Sequence, residues 1–323
     1  MAEALHLVYH YVRDGDAPGH CCSPARLARQ IEFLMHEGYE FLTCREVFRR
    51  THQEIPFPSR YAVLTFDDGL ADHKNVVLPI LREYGIRATF FVIGCTLDGK
   101  FPPVIGLQAL IDLVGLERME QDVMPQALRG TRYFPLLELI TLEWLNRVGM
   151  RQAEPPHLRV IKYVFNDLLP SSLKTDLISQ MFAKCLGEGL ELRVVRQWFL
   201  DREDMCAMED MGMEIGAHSM THPMFSALGY DDIVREVSGS LEYLGRLRSD
   251  QRSFRLGLGV ENIFSFAYPF GERIRPEVAR VVAHYFASAW NGLPTTSEMP
   301  QGDYPIHDIP RIIESKCGIF RGL

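Results

Sequence analysis

The chain has 323 residues, 47% hydrophobic, 24% charged and 11% aromatic, with 25 glycines and 19 prolines. Those values support a folded core in one large α/β domain or two smaller ones, and they exclude disordered and fibrous classes. Thirty-four Lys plus Arg against forty-two Asp plus Glu leave a net charge of −8, so there is no basic surplus to neutralise phosphates and nucleic acid is not an expected partner.

In chain order, a short apolar run, a helical period and another apolar run keep recurring, which is the βα signature. Strands are expected over residues 5–11, 39–43, 61–66, 88–93, 213–217, 263–268, 285–290 and 309–313. Between the first two, Ser23 reads as an N-cap and Pro24 as the first helical residue, with Leu27, Ile31 and Leu34 on one face and Gly38 past the end. Asp231 and Asp232 open a second clear helix. Ile233, Val237, Leu241, Leu244 and Leu247 recur along it, and Arg246 and Arg248 suit its C-terminal dipole.

Runs such as AVLTF and ATFFVI are apolar at consecutive positions, so their strands should be covered on both faces, as in parallel sheets. Seven or eight such units point to a barrel. Residues 96–205 break the rhythm with successive helical patterns at 136–148, 160–169 and 177–186. They read as an inserted helical subdomain, either a substrate lid or a cap that only packs or dimerises. No window approaches the roughly eighteen apolar residues of a membrane span. Residues 1–10 lack a basic stretch followed by a long apolar one, so a cytoplasmic protein is expected. The seven cysteines lack CxxC spacing and read as reduced thiols; adjacent Cys21 and Cys22 fit disulfide geometry poorly.

The sharpest local feature is Thr65-Phe66-Asp67-Asp68-Gly69, two carboxylates where a buried strand ends and glycine lets the chain turn. Neighbouring carboxylates disfavour joint ionisation unless a cation or donor lies between them, so the pair invites a metal; the alternative is a plain turn and cap. The second feature is His218-Ser219-Met220-Thr221-His222-Pro223 after another apolar strand. In a helical turn that spacing projects both imidazoles the same way. Two histidines with Asp68 make three protein ligands and leave a position open, as in a catalytic zinc site.

TFDDG, HSMTHP and FAYPFG, in that order, resemble the polysaccharide deacetylase family, carbohydrate esterase family 4, with the NodB-homology fold. The resemblance implies a distorted (β/α)7 barrel over residues 1–95 and 206–323, with 96–205 inserted. It also implies Asp67 as general base, Asp68, His218 and His222 as metal ligands, and Tyr268, Pro269 and Phe270 of the third motif beside the substrate. Ala267 stands where that motif usually has an arginine that steadies the base. Arg311, in the late apolar strand, is a candidate replacement, or else an ordinary surface arginine. The family's terminal Leu-x-His, which supplies a general acid, is absent. His10, ending the first strand, and His307, preceding the last, are possible substitutes, and each is also readable as structural. Trp290 could wall a small pocket for an acyl methyl, or be core.

The expected activity is therefore a metal-dependent hydrolase that removes an acyl group, an N-acetyl group foremost, with metal-activated water as nucleophile. Zinc is the first choice of ion, with Co, Ni, Mn or Fe compatible. A cytoplasmic location favours a nucleotide-sugar or lipid-linked glycan substrate over a secreted polymer. Competing readings are a non-haem iron oxygenase, a metal-independent cyclic amide or imide hydrolase on the same barrel, and a carbohydrate-binding protein without turnover. Nothing in the sequence sets the oligomeric state.

Overall fold

A computed structural model describes residues 3–14, 21–140, 155–247, 264–271, 274–293 and 305–320. Among them are strands β1 (Glu3–Tyr9), β2 (Tyr11–Val12), β3 (Cys21–Cys22), β4 (Glu40–Phe41), β5 (Arg60–Phe66), β6 (Thr89–Val92), β7 (Glu214–Ala217), β8 (Ser265–Tyr268), β9 (Ser288–Leu293) and β10 (Ile309–Ile313). β1 pairs in parallel with both β5 and β10, which closes β1, β5, β6, β7, β8, β9 and β10 into a ring. This is the seven-stranded parallel barrel with surrounding helices. β4 lies outside the ring: it takes the lower part of one β5 edge, at Tyr61 and Ala62, while β6 takes the upper part at Thr65 and Phe66.

The alternating side chains of the ring divide into two layers. Leu5, Leu7, Leu64, Phe66, Phe90, Ile215, Phe266 and Ile312 join one cluster with helix residues such as Leu27, Ile31, Leu81, Met208, Val237 and Val282. The other layer is partly polar and fully enclosed, with His6, Thr65, Thr89, Glu214, Ser265, Ser288 and Arg311 all buried. Glu214 organises its amino-terminal end, where its carboxylate accepts from Ser265 Oγ at 2.8 Å, Thr89 Oγ1 at 3.0 Å and the Arg45 backbone N–H at 2.7 Å. That N–H belongs to the first turn of the helix Cys44–His52, whose positive end suits a carboxylate. The amino end of the barrel is thereby plugged, and the chemistry is left to the carboxyl ends of the strands.

Local signals are borne out where neighbours alone decide. Ser23 caps the helix Pro24–His36 by accepting from Arg26 N, and Leu27, Ile31 and Leu34 are buried. Tertiary pairing corrects other expectations. The first strand ends at Tyr9, and the strand expected over 39–43 shrinks to Glu40–Phe41. The strand expected from 285 begins at Ser288, because Tyr285 closes the helix Pro276–Tyr285 that buries Val278, Val281 and Val282. Ile263, Arg248 and the side chains of Arg246 and Leu247 lie outside the described residues.

A second compact unit spans Asp98–Val195. Its helices Pro103–Val114 and Ser171–Leu186 approach closely at Gly106, where a Cβ would meet Ile178 Cγ2 at 2.6 Å, and Phe101 stacks on Phe182 with ring centres 4.7 Å apart. The helix expected over 160–169 begins earlier, at Pro156, and continues through a π turn, Val164–Leu168. Of 136–148, residues 136–139 fall in the 3-10 turn Phe134–Leu139, and 141–148 lie outside the described residues. The unit ends before the expected residue 205: Leu200 N donates to Gly69 O at 2.8 Å and Phe199 bridges Leu70, which ties this segment to the barrel unit.

The barrel wall is tightest at Gly216, where a Cβ would fall 2.7 Å from the Phe91 ring and 2.8 Å from the Ser265 carbonyl oxygen. Gly216→Ala is expected to cost about 1–3 kcal/mol through overpacking, read as a lower denaturation midpoint at unchanged m-value.

Candidate active site

Two strand ends deliver the site. The Asp67 backbone N–H donates to Tyr9 O at 2.9 Å, which extends the β1–β5 ladder by one residue and aims the Asp67 side chain inward. Asp68 then adopts a left-handed φ of 77° and Gly69 one of 67°, so the chain turns sharply and presents both carboxylates. A Cβ on Gly69 would stand 3.0 Å from Val92 Cγ1. On the facing strand, His218 N donates to Val92 O at 2.8 Å, while its ring Nδ1 lies 2.9 Å from the Ala267 carbonyl. That bond makes Nδ1 the protonated nitrogen and leaves the Nε2 lone pair toward Asp68 Oδ1, 3.6 Å away.

His222 Nε2 approaches the same oxygen at 3.4 Å, and its side chain is 11% exposed. Contrary to the expected helical turn, residues 218–224 form an irregular loop. Ser219 (φ 62°) and His222 (φ 56°) are left-handed, and the imidazoles converge through those two backbone reversals. Asp68, Ser219, His222 and Phe270 are four of the five left-handed non-glycine residues among those described. Such conformations cost of order 1–3 kcal/mol each and gather where surrounding structure over-determines them.

One ligand atom from each of Asp68, His218 and His222 lies within 4.8 Å of the other two. Asp68 Oδ1 is buried without a hydrogen-bond donor, an arrangement that suits a divalent cation. Burial pushes both imidazoles down to about 4, so they are neutral at physiological pH with lone pairs available. Burial also raises the Asp68 carboxyl, partly offset by His10 and His218.

Asp67 has a different environment. Arg311 donates Nη1 to Oδ1 at 2.6 Å and Nη2 to Oδ2 at 2.8 Å, and Nη1 also reaches Thr65 Oγ1 at 2.9 Å. Burial alone would push the Asp67 carboxyl up, but the Arg311 charge, assisted by His218 and His10, holds it at about 2. Arg311 is 1% exposed, so it is no surface residue. Thr65, whose hydroxyl donates its own proton to Leu7 O at 2.8 Å, was given no role of its own in the sequence motif; its place two residues before Asp67 on the same strand face was the available signal.

The remaining candidates separate cleanly. His10 follows β1, its main-chain carbonyl lies 3.0 Å from His73 Nε2, and it is near enough to act electrostatically on Asp67, Asp68 and His222. His307 instead turns Nε2 to the Phe286 carbonyl at 3.0 Å and gives its own carbonyl to Tyr268 OH at 2.9 Å. Tyr268 packs edge-on against Phe266 and Phe225 in the outer layer, so it is core rather than a substrate contact. Trp290 is fully buried among Cys44, Val47 and Phe91, its indole N–H bonded to Ser288 Oγ at 3.1 Å; it fills the barrel and walls no acyl pocket. Pro269 is buried, whereas Phe270 is 43% exposed with its ring centre 4.6 Å from that of His222.

Removing Arg311 would strand a buried carboxylate. Arg311→Met is expected to cost about 3–5 kcal/mol at neutral pH. In the wild-type chain the Asp67 contribution is complete above its ordinary pKa of 3.8 and is lost as pH falls toward about 2. In the variant burial dominates, the carboxyl titrates above its ordinary value, and the contribution changes sign: stability falls as pH rises through the carboxylate range. Denaturant unfolding across the acid range, with a chelator present, checks both the size and the sign.

The sequence profile of the polysaccharide deacetylase family matches residues 54–121, which takes in Asp67 and Asp68 and ends well before His218. The Bacillus subtilis (strain 168) protein YxkH, a candidate polysaccharide deacetylase, is 29% identical over 94 residues, covering 29% of this chain and 33% of that relative. The chain thus matches about a third of that relative's length. Among solved structures, Streptococcus pyogenes deacetylase PplD in complex with acetate superposes with TM-score 0.56 at 18% identity, covering 97% of this chain and 92% of its own. A de-N-acetylase from Aggregatibacter actinomycetemcomitans superposes with TM-score 0.55 at 14% identity, over 98% of this chain and 96% of its own. At those identities the structural likeness speaks for the barrel alone. Over residues 54–121 the chain is thus similar to the polysaccharide deacetylase family, and its closed seven-stranded ring is the barrel of the deacetylase structures it superposes on.

Proposed function

We propose that this chain is a metal-dependent hydrolase that removes an acyl group, an N-acetyl group foremost, from a sugar or glycan. The observation that carries the reading is the Asp68 oxygen, buried without a donor between two neutral imidazoles and beside a second aspartate held by Arg311. Asp68, His218 and His222 would hold the cation, zinc foremost, with Co, Ni, Mn and Fe accepting the same donors. Bound there, the ion lowers the pKa of water from about 15.7 toward roughly 7 and polarises the acyl carbonyl.

Asp67 acts as general base. It is ionised at neutral pH, and its Oδ2 faces the site, 3.9 Å from His218 Nε2. Arg311 grips both oxygens and so fixes the direction from which the proton is taken. His10, on the same rim, delivers a proton to the departing nitrogen; His307 is engaged elsewhere. Phe270 offers an exposed aromatic face beside His222 on which a sugar ring can stack. The acetate in the Streptococcus pyogenes relative's structure agrees with a small acyl product.

Substrates of nucleotide-linked or lipid-linked type follow if the protein acts in the cytoplasm. No helix among the described residues is long and apolar enough to cross a membrane. Parallel strands and a second, arginine-held carboxylate favour hydrolysis over the iron oxygenase alternative, and a metal-free imide hydrolase would leave the Asp68 oxygen without a task.

Elemental analysis and acetate release from a panel of N-acetylated nucleotide sugars and lipid-linked glycans test the reading. Asp68→Ala and His218→Ala should lose bound metal and activity together. Asp67→Asn should keep the metal and lose about 100- to 10,000-fold in turnover; undiminished turnover in that variant refutes the mechanism. His10→Ala should slow amide hydrolysis far more than hydrolysis of an activated acetyl ester, whose leaving group needs little protonation.

A further inference from the structure

The peptide joining the two site histidines is gripped from several sides. Its Ser219 and Met220 carbonyls accept from Gly94 N at 3.0 Å and Cys95 N at 2.9 Å, in the turn after β6. From the opposite edge, Met220 N and Thr221 N both donate to Glu236 Oε2, at 2.9 and 2.8 Å, and the Thr221 hydroxyl donates to Oε1 at 2.6 Å. The Met220 side chain runs between two glycines: a Cβ on Gly94 would lie 2.5 Å from its Sδ, and one on Gly239 would lie 2.7 Å from its Cγ. Within the loop, His222 N donates to Ser219 Oγ at 3.0 Å.

Glu236 is 8% exposed on the helix Tyr230–Leu247, and its three bonds come from neutral donors on two adjacent residues. Bonds to an ionised acceptor are charge-assisted, so these three offset the hydration that the buried carboxylate loses and hold both residues more firmly than a neutral acceptor would. What distinguishes the loop is strain: Ser219 and His222 flank the anchored residues, both left-handed. Without an anchor, relaxation of either residue would swing the His222 ring away from Asp68.

We propose that Glu236 is a positioning residue for the cation site: its carboxylate holds the 218–222 loop so that His222 Nε2 faces Asp68 Oδ1 before any ion arrives. Met220, seated between Gly94 and Gly239, and Thr221 are the grips through which it acts. The inference rests on the reading of Asp68, His218 and His222 as a cation site, and it assigns the loop's order to the protein rather than to the ion.

Cobalt(II) titration of the full chain, followed by the visible spectrum of the bound ion, separates the two claims. Glu236→Ala should weaken cobalt binding by about 10- to 100-fold and alter the spectrum. Glu236→Gln should retain most of the affinity, because its amide oxygen still accepts both backbone N–H groups and its NH2 can donate to the Thr221 hydroxyl. Thr221→Val removes the third bond alone and should weaken binding by a smaller factor. If the wild-type chain takes up no cobalt, the hydrolase reading falls and this inference with it. If the wild-type chain binds cobalt, and Glu236→Ala and Thr221→Val bind it equally well with the same spectrum, the positioning role is refuted and the cation site stands. Should Glu236→Ala fail to fold, the affinity and spectrum of Thr221→Val decide.

Discussion

A guanidinium enclosed in the barrel grips Asp67 by both oxygens, and most of the site's chemistry follows from that contact. Arg311 sits on β10 and Asp67 just past β5, with β1 pairing both strands, so the bond spans one strand across the barrel interior. It gives two adjacent aspartates opposite characters. Asp67, paired and oriented by the guanidinium, is pulled down to about 2, while burial raises Asp68, one of whose oxygens lacks a donor, from its ordinary value. Environments that drive a pair of carboxyls apart are how one site assigns two roles to one residue type.

The barrel makes this possible by separating its polar interior into levels. At the amino end Glu214 is satisfied by Ser265, Thr89 and a helix N-terminus, which closes that end without a cation. At the carboxyl end Asp68 Oδ1 has no donor, and left-handed backbone gathers there at Asp68, Ser219, His222 and Phe270. A scaffold whose outer layer is closely packed and apolar can hold such positions because the surrounding ladders leave them no alternative.

The family that the chain resembles usually takes the arginine beside its first aspartate from the third motif, which here lies on β8. The third motif carries Ala267 in place of the usual arginine. Its carbonyl instead accepts the Nδ1 proton of His218, while the cation for Asp67 arrives from β10. Side chains from every strand of a closed ring meet in one interior, so a guanidinium can serve the same carboxylate from more than one origin. What must be kept is its position beside Asp67, and Thr65 and the Phe91 ring, 5.2 Å beneath the guanidinium, supply that position here.

Features carried by neighbours along the chain were legible without coordinates. The consecutive apolar runs implied strands buried on both faces, Ser23 and Pro24 marked a helix start, and Asp68, His218 and His222 stood at strand ends in a pattern that offers a cation three ligands. Features that depend on register and ring closure were not. The sequence could offer Arg311 only as one of two even alternatives, could not choose between His10 and His307, left Trp290 open between pocket wall and core, and placed Tyr268 beside a substrate although both aromatics are core. It also read residues 218–222 as a helical turn, because the left-handed residues that shape the loop are imposed by bonds to the β6 turn and to Glu236, neither of them near in sequence. Hydrophobic period and turn chemistry are local and survive in one dimension. Which face of a strand looks inward, and which distant charge meets it there, is decided only when the seventh strand closes the ring.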